Sequence, residues 1–147
     1  MEFKVLTVDD PLWNTVIDLA ASCSWRAGIF LAERMRNNLF SDWERVIVAL
    51  HDNTPSGFCT VSMSDCIPDV TYTPYIGFIF IKEEFRGRRF SQKLIEFSQE
   101  YLKTVGFNEV YIVSDHINLY EKYGFSVLER KFAPWGSEQK IYYKTLT

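Results

Sequence analysis

The 147 residues fit one domain with one hydrophobic core, because this length lies in the commonest size range for single domains. Apolar residues make up 47% of the chain, yet no segment approaches the roughly 20 apolar residues of a spanning helix, which excludes a transmembrane protein. The net charge of -3 argues against nucleic acid as a partner, because neutralising phosphates needs a large basic footprint.

The first third of the chain predicts one strand followed by two helices. Residues 3–8 alternate apolar and polar side chains, which is typical of a strand. Asp10 and Pro11 then mark a helix start, with Asp10 as the cap and Pro11 at the first helical position. A second helix is predicted over residues 25–36, where apolar side chains approximate helical spacing before Asn37 and Asn38.

The middle of the chain predicts three strands. Residues 45–50 and 57–63 are β-rich and flank the turn-forming sequence HDNTPSG, so they should form an antiparallel hairpin. Residues 75–81 are almost wholly apolar, which predicts a central strand that is buried on both faces.

The last third predicts two helices and three strands. A helix over residues 90–105 should stop at Gly106, and a strand should follow over residues 109–113. A short helix should then run from Ser114 or Asp115 to Tyr123, before strands at 125–132 and 140–146. The order β-α-α-β-β-β-α-β-α-β-β predicts an α+β fold in a single domain over 1–147. Its mixed, mostly antiparallel sheet of about seven strands would be flanked by four helices.

The segment FRGRRFS, between the strand at 75–81 and the helix at 90–105, is the most informative part of the sequence. Backbone N–H groups at a helix start lack internal acceptors, and the helix dipole adds positive charge, so such a turn can bind phosphates. Arginines and lysines around the turn suit a pyrophosphate. A solvated basic turn, or a local contact with nucleic acid, is the alternative. The sequence has neither a P-loop nor a Gly-x-Gly-x-x-Gly motif, which disfavours other nucleotide-binding folds.

Two motifs resemble the GNAT superfamily of N-acetyltransferases. The sequence IFIKEEFRGRRFSQKLI is similar to its acetyl-CoA-binding motif, in which a strand leads into Gln/Arg-x-x-Gly-x-Gly/Ala and a helix. Arg86 matches the first position, whereas Arg89 replaces the middle Gly and Ser91 the final Gly or Ala. The sequence LYEKYGF at 119–125 is a nearly complete match to the family's Leu-Tyr-Glu-Lys-x-Gly-Phe element. The predicted element order is also that of the GNAT fold.

The resemblance implies that acetyl-CoA is the co-substrate. Its predicted binding residues are Phe80, Ile81, Arg86, Gly87, Arg88, Arg89, Phe90, Ser91 and Gln92. A backbone amide near Phe80 and Ile81 would stabilise the oxyanion, and the same strand edge would pair with the pantetheine arm. Tyr120 would be the general acid, because a phenol with a pKa of about 10 can protonate a thiolate. Val113 stands where many family members place an Asn that contacts pantetheine, so that contact is not carried over.

No general base stands out in the sequence. The scattered candidates are Glu44, His51, Asp65, Asp69 and His116, the last one helical turn before Tyr120. The acceptor pocket would lie among the first two helices, the loop at 64–74 and the last strand pair. Its expected lining is Trp25, Trp43, Tyr72, Tyr75 and Trp135, with Asp65 and Asp69 attracting a cation. The three cysteines have no Cys-x-x-Cys spacing, so we expect neither a disulfide framework nor a metal site.

The sequence therefore predicts a cytoplasmic N-acetyltransferase that moves an acetyl group from acetyl-CoA to a primary amine by direct attack in a ternary complex. The cytoplasmic location is expected because the N-terminus lacks the basic start and apolar centre of a secretory signal. The acceptor is an unidentified small molecule, peptide or protein, with no nucleic-acid or membrane partner, and a homodimer is compatible with the pattern. The alternative is a non-catalytic domain that only holds acyl-CoA.

Overall fold

The computed structural model describes all residues 1–147 and contains one seven-stranded sheet in the order β1-β2-β3-β4-β5-β7-β6. The strands are β1 Glu2–Leu6, β2 Arg45–His51, β3 Thr54–Ser62, β4 Tyr75–Ile81, β5 Glu109–Ser114, β6 Ser126–Phe132 and β7 Glu138–Thr145. The helices are α1 Leu12–Ser22, α2 Gly28–Arg36 and α3 Phe90–Val105, with 3-10 helices at Glu83–Phe85 and Tyr120–Tyr123. Neighbouring strands are antiparallel except β4 and β5, so the predicted mixed α+β fold is confirmed.

Local signals in the sequence account for the ends of α1 and α3. The Leu12 N–H donates to Asp10 Oδ1 at 2.9 Å at the start of α1, which confirms Asp10 as the capping residue. Gly106 ends α3 with a φ of 115°, and its N–H donates to the carbonyls of Leu102 and Lys103. Two predicted starts differ, because α2 begins at Gly28 and β3 already begins at Thr54. A two-residue turn with positive φ at Asp52 and Asn53 closes the β2–β3 hairpin.

The predicted fourth helix is shorter than its sequence pattern indicates. Only the 3-10 helix Tyr120–Tyr123 forms, because β5 extends to Ser114 and Asn118 has a left-handed backbone with a φ of 60°. Asn tolerates this conformation better than most residues, but no α-helix passes through it. Tyr120 therefore lies at the start of one short turn.

Both faces of the sheet are covered, as a mixed sheet requires. The face toward α3 packs a cluster that includes Ile47, Cys59, Ile76, Leu94, Leu102, Tyr120 and Tyr142. The opposite face packs against α1 and α2 through residues that include Leu6, Val16, Leu31, Val48, Phe58 and Phe80. A smaller cluster of Ile67, Tyr75, Tyr111, Ala133 and Ile141 brings the β3–β4 loop against β5 and β7.

The sheet is split in its middle, between β4 and β5. The two strands pair only at Tyr75 and Tyr111, where the Tyr111 N–H donates to the Pro74 carbonyl at 2.9 Å. Farther along, β4 pairs with β3 alone. A β-bulge at Phe78, whose φ is 49°, also shifts the β3–β4 register between Phe58 and Thr60. The β4 edge that faces β5 therefore has main-chain groups without a strand partner.

None of the helices is both long and apolar enough to cross a membrane. Cys23, Cys59 and Cys66 are free thiols. No three His, Cys, Asp or Glu side chains come together in an arrangement that would bind a metal ion.

Candidate active site

The turn before α3 presents a row of free backbone donors. Gly87 and Arg89 have left-handed backbones with φ of 79° and 61°, a conformation that lets neighbouring N–H groups in a turn converge. The first helical bond at this end runs from the Lys93 N–H to the Arg89 carbonyl at 3.1 Å. The N–H groups of residues 87–92 have no acceptor in the protein. Six donors at the positive end of a 16-residue helix make a site for an anion.

The three arginines of this turn differ in their surroundings. The Arg86 Nε donates to the Ile81 carbonyl at 2.9 Å, and its Nη2 lies 3.5 Å from Glu83 Oε1. Arg86 therefore fastens the turn to the end of β4. The side chains of Arg88 and Arg89 are exposed and form no hydrogen bond or ion pair, which leaves both guanidinium groups available to an anion.

Phe80 and Ile81 were both predicted to contact the cofactor, but at the end of β4 their main-chain groups point in opposite directions. The Lys82 N–H donates to the Ser56 carbonyl at 2.9 Å, so at the preceding residue, Ile81, the main-chain groups point away from β3. The bond from Arg86 to the Ile81 carbonyl agrees with this direction. By the same alternation, the Phe80 main chain faces β3. Both side chains are buried, as expected, but only the Ile81 amide is directed toward the gap.

Tyr120 lies in the cluster on the α3 face of the sheet. Its side chain is 6% exposed, and its ring packs 5.4 Å from Tyr142 and 6.1 Å from Tyr123. Burial raises the pKa of Tyr120 well above its ordinary value, although the Ser114 hydroxyl at the end of β5 lowers it in part. Its hydroxyl thus stays protonated at neutral pH.

The two sequence motifs meet in space. The Ser91 Oγ lies 2.9 Å from the Tyr123 hydroxyl, which connects the first turn of α3 to the 3-10 helix Tyr120–Tyr123. This contact occupies the Ser91 side chain and leaves its backbone N–H free. The predicted cofactor residues and Tyr120 therefore belong to one region around the gap.

Four of the five candidate bases lie in separate surroundings. Glu44 accepts from the Met63 N–H at 2.8 Å and pairs with Arg34 at 3.3 Å. His51 packs on Phe85 at the far end of β2, and His116 is exposed beside the Tyr120 ring. Asp69 lines a separate cleft of about 410 Å³ with Glu129 and neighbouring β6 residues.

Asp65, in the loop between β3 and β4, is the remaining candidate, and its carboxylate packs against Gly77 of β4. The Oδ2 atom is 2.9 Å from the position that a Cβ on Gly77 would occupy, with Thr60 Oγ1 3.3 Å from the same point. Gly77 comes two residues after Tyr75, the last β4 residue that pairs with β5. The sequence did not single out Asp65, because only the fold shows that its carboxylate occupies the space left by the missing side chain of Gly77.

A polar cavity of about 280 Å³ surrounds the Asp65 carboxylate. Its lining is Arg34, Thr60, Ser62, Ser64, Asp65, Cys66 and Phe78. Residue Asp65 as a whole is exposed, but desolvation of its carboxyl group raises the pKa of Asp65 above its ordinary value, while hydrogen bonds from Cys66 and the charge of Arg34 oppose the rise. We call this cavity the Asp65 pocket.

The expected aromatic lining of an acceptor site is mostly elsewhere. Trp25 alone lies near the Asp65 pocket, with its ring 6.2 Å from Phe78. Trp43 packs against Phe107 at 4.8 Å, and Trp135 is 67% exposed after β6. Tyr72 and Tyr75 pack on Tyr111 in the third core cluster. The five aromatic residues expected to line one acceptor site therefore do not come together around the Asp65 pocket.

Comparison with known proteins identifies one family and one fold. The profile of the acetyltransferase (GNAT) family matches residues 13–125. No curated protein matches the sequence significantly. An aminoglycoside 6'-acetyltransferase type Ii is similar in structure, with a TM-score of 0.75 at 16% identity and coverage of 100% of this chain and 98% of that one.

Two further solved structures share the fold. An aminoglycoside 6'-N-acetyltransferase complexed with coenzyme A has a TM-score of 0.74 at 14% identity, covering 100% of this chain and 98% of that one. A chain of the NatC complex bound to Gag peptide and CoA has a TM-score of 0.69 at 21% identity, covering 99% and 98%. At these identities the likeness establishes the fold alone.

Proposed function

The chain belongs to the GNAT acetyltransferase family, and on that basis we propose that it transfers the acetyl group of acetyl-CoA to a primary amine. The observation that carries this proposal is the row of free N–H groups at residues 87–92 beside the open edge of β4. A diphosphate fits the row, and an extended pantetheine arm fits an unpaired strand edge. The coenzyme A bound to an aminoglycoside 6'-N-acetyltransferase of this fold supports coenzyme A as the ligand class.

The residues around the gap match the needs of acetyl transfer. The backbone N–H of Ile81, which points into the gap, is placed to stabilise the oxyanion that forms on the thioester carbonyl. The protonated hydroxyl of Tyr120 supplies a proton to the departing thiolate. The amine attacks directly in a ternary complex, the new C–N bond replaces the C–S bond, and no covalent enzyme intermediate is required.

Ligand binding and turnover test the proposal in two steps. Calorimetry should detect binding of CoA and acetyl-CoA, and release of free thiol should follow with at least one member of an amine panel. The panel contains small alkyl and aryl amines, aminoglycosides and peptides with free N-termini. Tight binding without turnover on any amine would instead indicate a non-catalytic acyl-CoA-binding domain. Absence of CoA binding together with salt-sensitive DNA binding would overturn the proposal.

Replacement of Tyr120 by Phe tests its role as the acid. We expect kcat to fall by about 100-fold or more, because general acid–base catalysis contributes roughly 10²–10⁴-fold. The Kd for acetyl-CoA should stay within about twofold, since the ring and its packing remain. Tyr143→Phe is the matched control, because that hydroxyl is bonded to Thr145 away from the gap. Wild-type turnover in Tyr120→Phe would remove the assigned role.

A further inference from the structure

The Asp65 pocket lies on the opposite face of the sheet from Tyr120. Thr60 and Ser62 of β3 and Phe78 of the β4 bulge form its walls, and Arg34 reaches it from α2. Tyr120 packs in the cluster on the α3 face. The gap between β4 and β5 is the place where the two faces meet, because the strands part after Tyr75, two residues before Gly77. An amine in this pocket and an acid at Tyr120 would therefore approach a thioester in the gap from opposite sides.

The pocket contains one negative charge that no ion pair compensates. Asp65 Oδ1 accepts from the Cys66 N–H at 2.6 Å, and no basic side chain lies within ion-pair distance of the carboxylate. Arg34 is engaged elsewhere, with Glu44 at 3.3 Å and the Ser62 hydroxyl at 3.0 Å. Asp65 therefore presents a carboxylate that forms no ion pair within the protein.

A second buried group near Asp65 also lacks a partner. The Tyr75 side chain is 1% exposed, and its hydroxyl has no hydrogen-bond partner in the protein. Burial together with the charge of Asp65 raises the pKa of Tyr75 to about 12. The Tyr75 ring packs on Tyr111 in the third core cluster, outside the residues that line the Asp65 pocket, so Tyr75 is not part of the ligand site.

On the basis of the acetyl transfer proposed above, we propose that the Asp65 pocket is the acceptor site for small cationic primary amines. In this site the Asp65 carboxylate binds the ammonium group and later takes the proton that its nitrogen loses on attack. A volume of about 280 Å³ holds a small molecule or one amine-bearing arm, and its hydroxyls and carboxylate suit a polar acceptor. The Phe78 ring gives the cation an aromatic neighbour.

The proton balance of this step is closed. The bound ammonium first loses one proton to solvent water and becomes a neutral amine. Its nitrogen bonds to the acetyl carbon, the C–S bond breaks, and the second proton passes from nitrogen to Asp65. The Tyr120 hydroxyl gives its proton to the thiolate, and water later restores Tyr120 and deprotonates Asp65. The products are the amide and free CoA thiol.

The test uses the full chain with acetyl-CoA and three probe amines: putrescine, butylamine and phenethylamine. We expect the wild type to acetylate at least one of them and Asp65→Asn to lower its kcat/KM by about 100-fold or more. The acetyl-CoA Kd should remain within about twofold. Asp52→Asn is the matched control, because that side chain is 92% exposed in the β2–β3 turn, and it should retain wild-type rates.

Two further variants separate proton transfer from a structural role. Gly77→Ala leaves Asp65 in the chain but places a methyl group against its Oδ2, so we expect about a tenfold loss of kcat/KM for the amine. Asp65→Glu should recover part of the lost rate. When kcat/KM of the wild type is plotted against pH, the fall on the acidic side should have its midpoint above the ordinary pKa of an aspartate. This fall should disappear in Asp65→Asn.

The outcomes distinguish this inference from the proposed function. Acetylation of large acceptors such as peptides, with Asp65→Asn unaffected and the three probes refused, would overturn the Asp65 assignment and leave acetyl transfer intact. Turnover of a probe with an unchanged pH profile in Asp65→Asn would also overturn it. Failure of every amine in the presence of bound acetyl-CoA would instead remove the proposed function itself.

Discussion

The donor turn at residues 87–92 and the Asp65 pocket are built from different parts of the chain. The turn presents main-chain N–H groups, which every residue except proline carries. The pocket presents particular side chains, with one carboxylate, three hydroxyls and one aromatic ring among its lining. A site made of main chain tolerates changes of side chain, whereas a site made of side chains depends on each one. As a candidate anion site, the donor turn therefore depends less on individual side chains than the Asp65 pocket does.

The imperfect donor motif keeps its main-chain hydrogen-bond donors. Arg89 stands where the family motif has Gly, and Ser91 where it has Gly or Ala. Both residues keep their backbone N–H free at the start of α3. The departures therefore change the side chains around the anion site and leave its donors in place.

Removal of one main-chain donor should have the largest effect on the donor turn. Ser91→Pro deletes a backbone N–H in the first turn of α3, where proline is otherwise tolerated. We expect the Kd for acetyl-CoA to rise by about 10- to 160-fold, because a hydrogen bond to a charged group is worth roughly 1.5–3 kcal/mol and each 1.4 kcal/mol is tenfold in Kd. Calorimetric titration of the variant measures the change.

Ser91→Ala is the matched control for this variant. It keeps the N–H and removes only the hydroxyl that contacts Tyr123, so the acetyl-CoA Kd should change less than about threefold. Equal losses in the two variants would mean that the side-chain contact, and not the main chain, determines affinity.

Most of the fold could be predicted from residue patterns. The apolar run of β4 and the amphipathic stripe of α3 gave bounds that agree with the structure, Tyr75–Ile81 and Phe90–Val105. The predicted helix before Gly124 is shortened to the 3-10 helix Tyr120–Tyr123, because the left-handed Asn118 has no signature in a hydrophobic pattern. The split between β4 and β5 was also invisible, because it arises from how two strands diverge after a single residue pair.

The two halves of the candidate site differ in the same way. The donor turn could be located from sequence, because glycine, arginine and a helix start are adjacent in the chain. The Asp65 pocket joins α2, two strands and a loop, so its residues are brought together only by the fold. In the sequence Asp65 was one of five scattered candidates, and only the structure shows its carboxylate packed against Gly77 of β4.

Exposed arginines should matter less to the donor turn than its main chain. Arg89→Gly and Arg88→Gly each remove one unpaired guanidinium, so each should weaken acetyl-CoA binding by about threefold, with the loss shrinking at high salt. Their effects on stability should differ. Arg89 has a φ of 61°, a conformation that disfavours L side chains by roughly 1–2 kcal/mol, whereas the φ of Arg88 is not positive.

The difference between the two variants isolates that strain. At either position glycine lowers the free energy of unfolding by about 0.5–1 kcal/mol, because it gives the unfolded chain more conformational freedom. Only at Arg89 does the replacement also relieve backbone strain. In urea titrations, we therefore expect the free energy of unfolding of Arg89→Gly to be about 1 kcal/mol higher than that of Arg88→Gly. Equal stabilities would indicate that Arg89 leaves the left-handed region in solution.

The smallest effect concerns the stability of the Asp65 pocket without any ligand. The folded pKa of Asp65 is raised by loss of water, so its ionised form is disfavoured in the folded state. The folded state therefore binds the Asp65 proton more tightly than the unfolded state does. The contribution of this preference to the free energy of unfolding is complete below the unfolded pKa of about 3.9 and is lost as the pH rises through the folded pKa. Asp65→Asn should therefore raise the melting temperature at pH 7 by on the order of 1–2 °C, and the gain should vanish below about pH 3.9.

Asp10 provides the control of opposite sign. Its pKa is lowered by hydrogen bonds from Lys4 and from the Leu12 amide, so its stabilising contribution is present at neutral pH and is lost as the pH falls through the folded value. Asp10→Asn should lower the melting temperature at pH 7, whereas Asp65→Asn raises it. A lower melting temperature for both variants would make the Asp65 carboxylate a structural group. Opposite shifts, together with lost acetylation in Asp65→Asn alone, are expected of a carboxylate kept for a cationic ligand at the expense of stability.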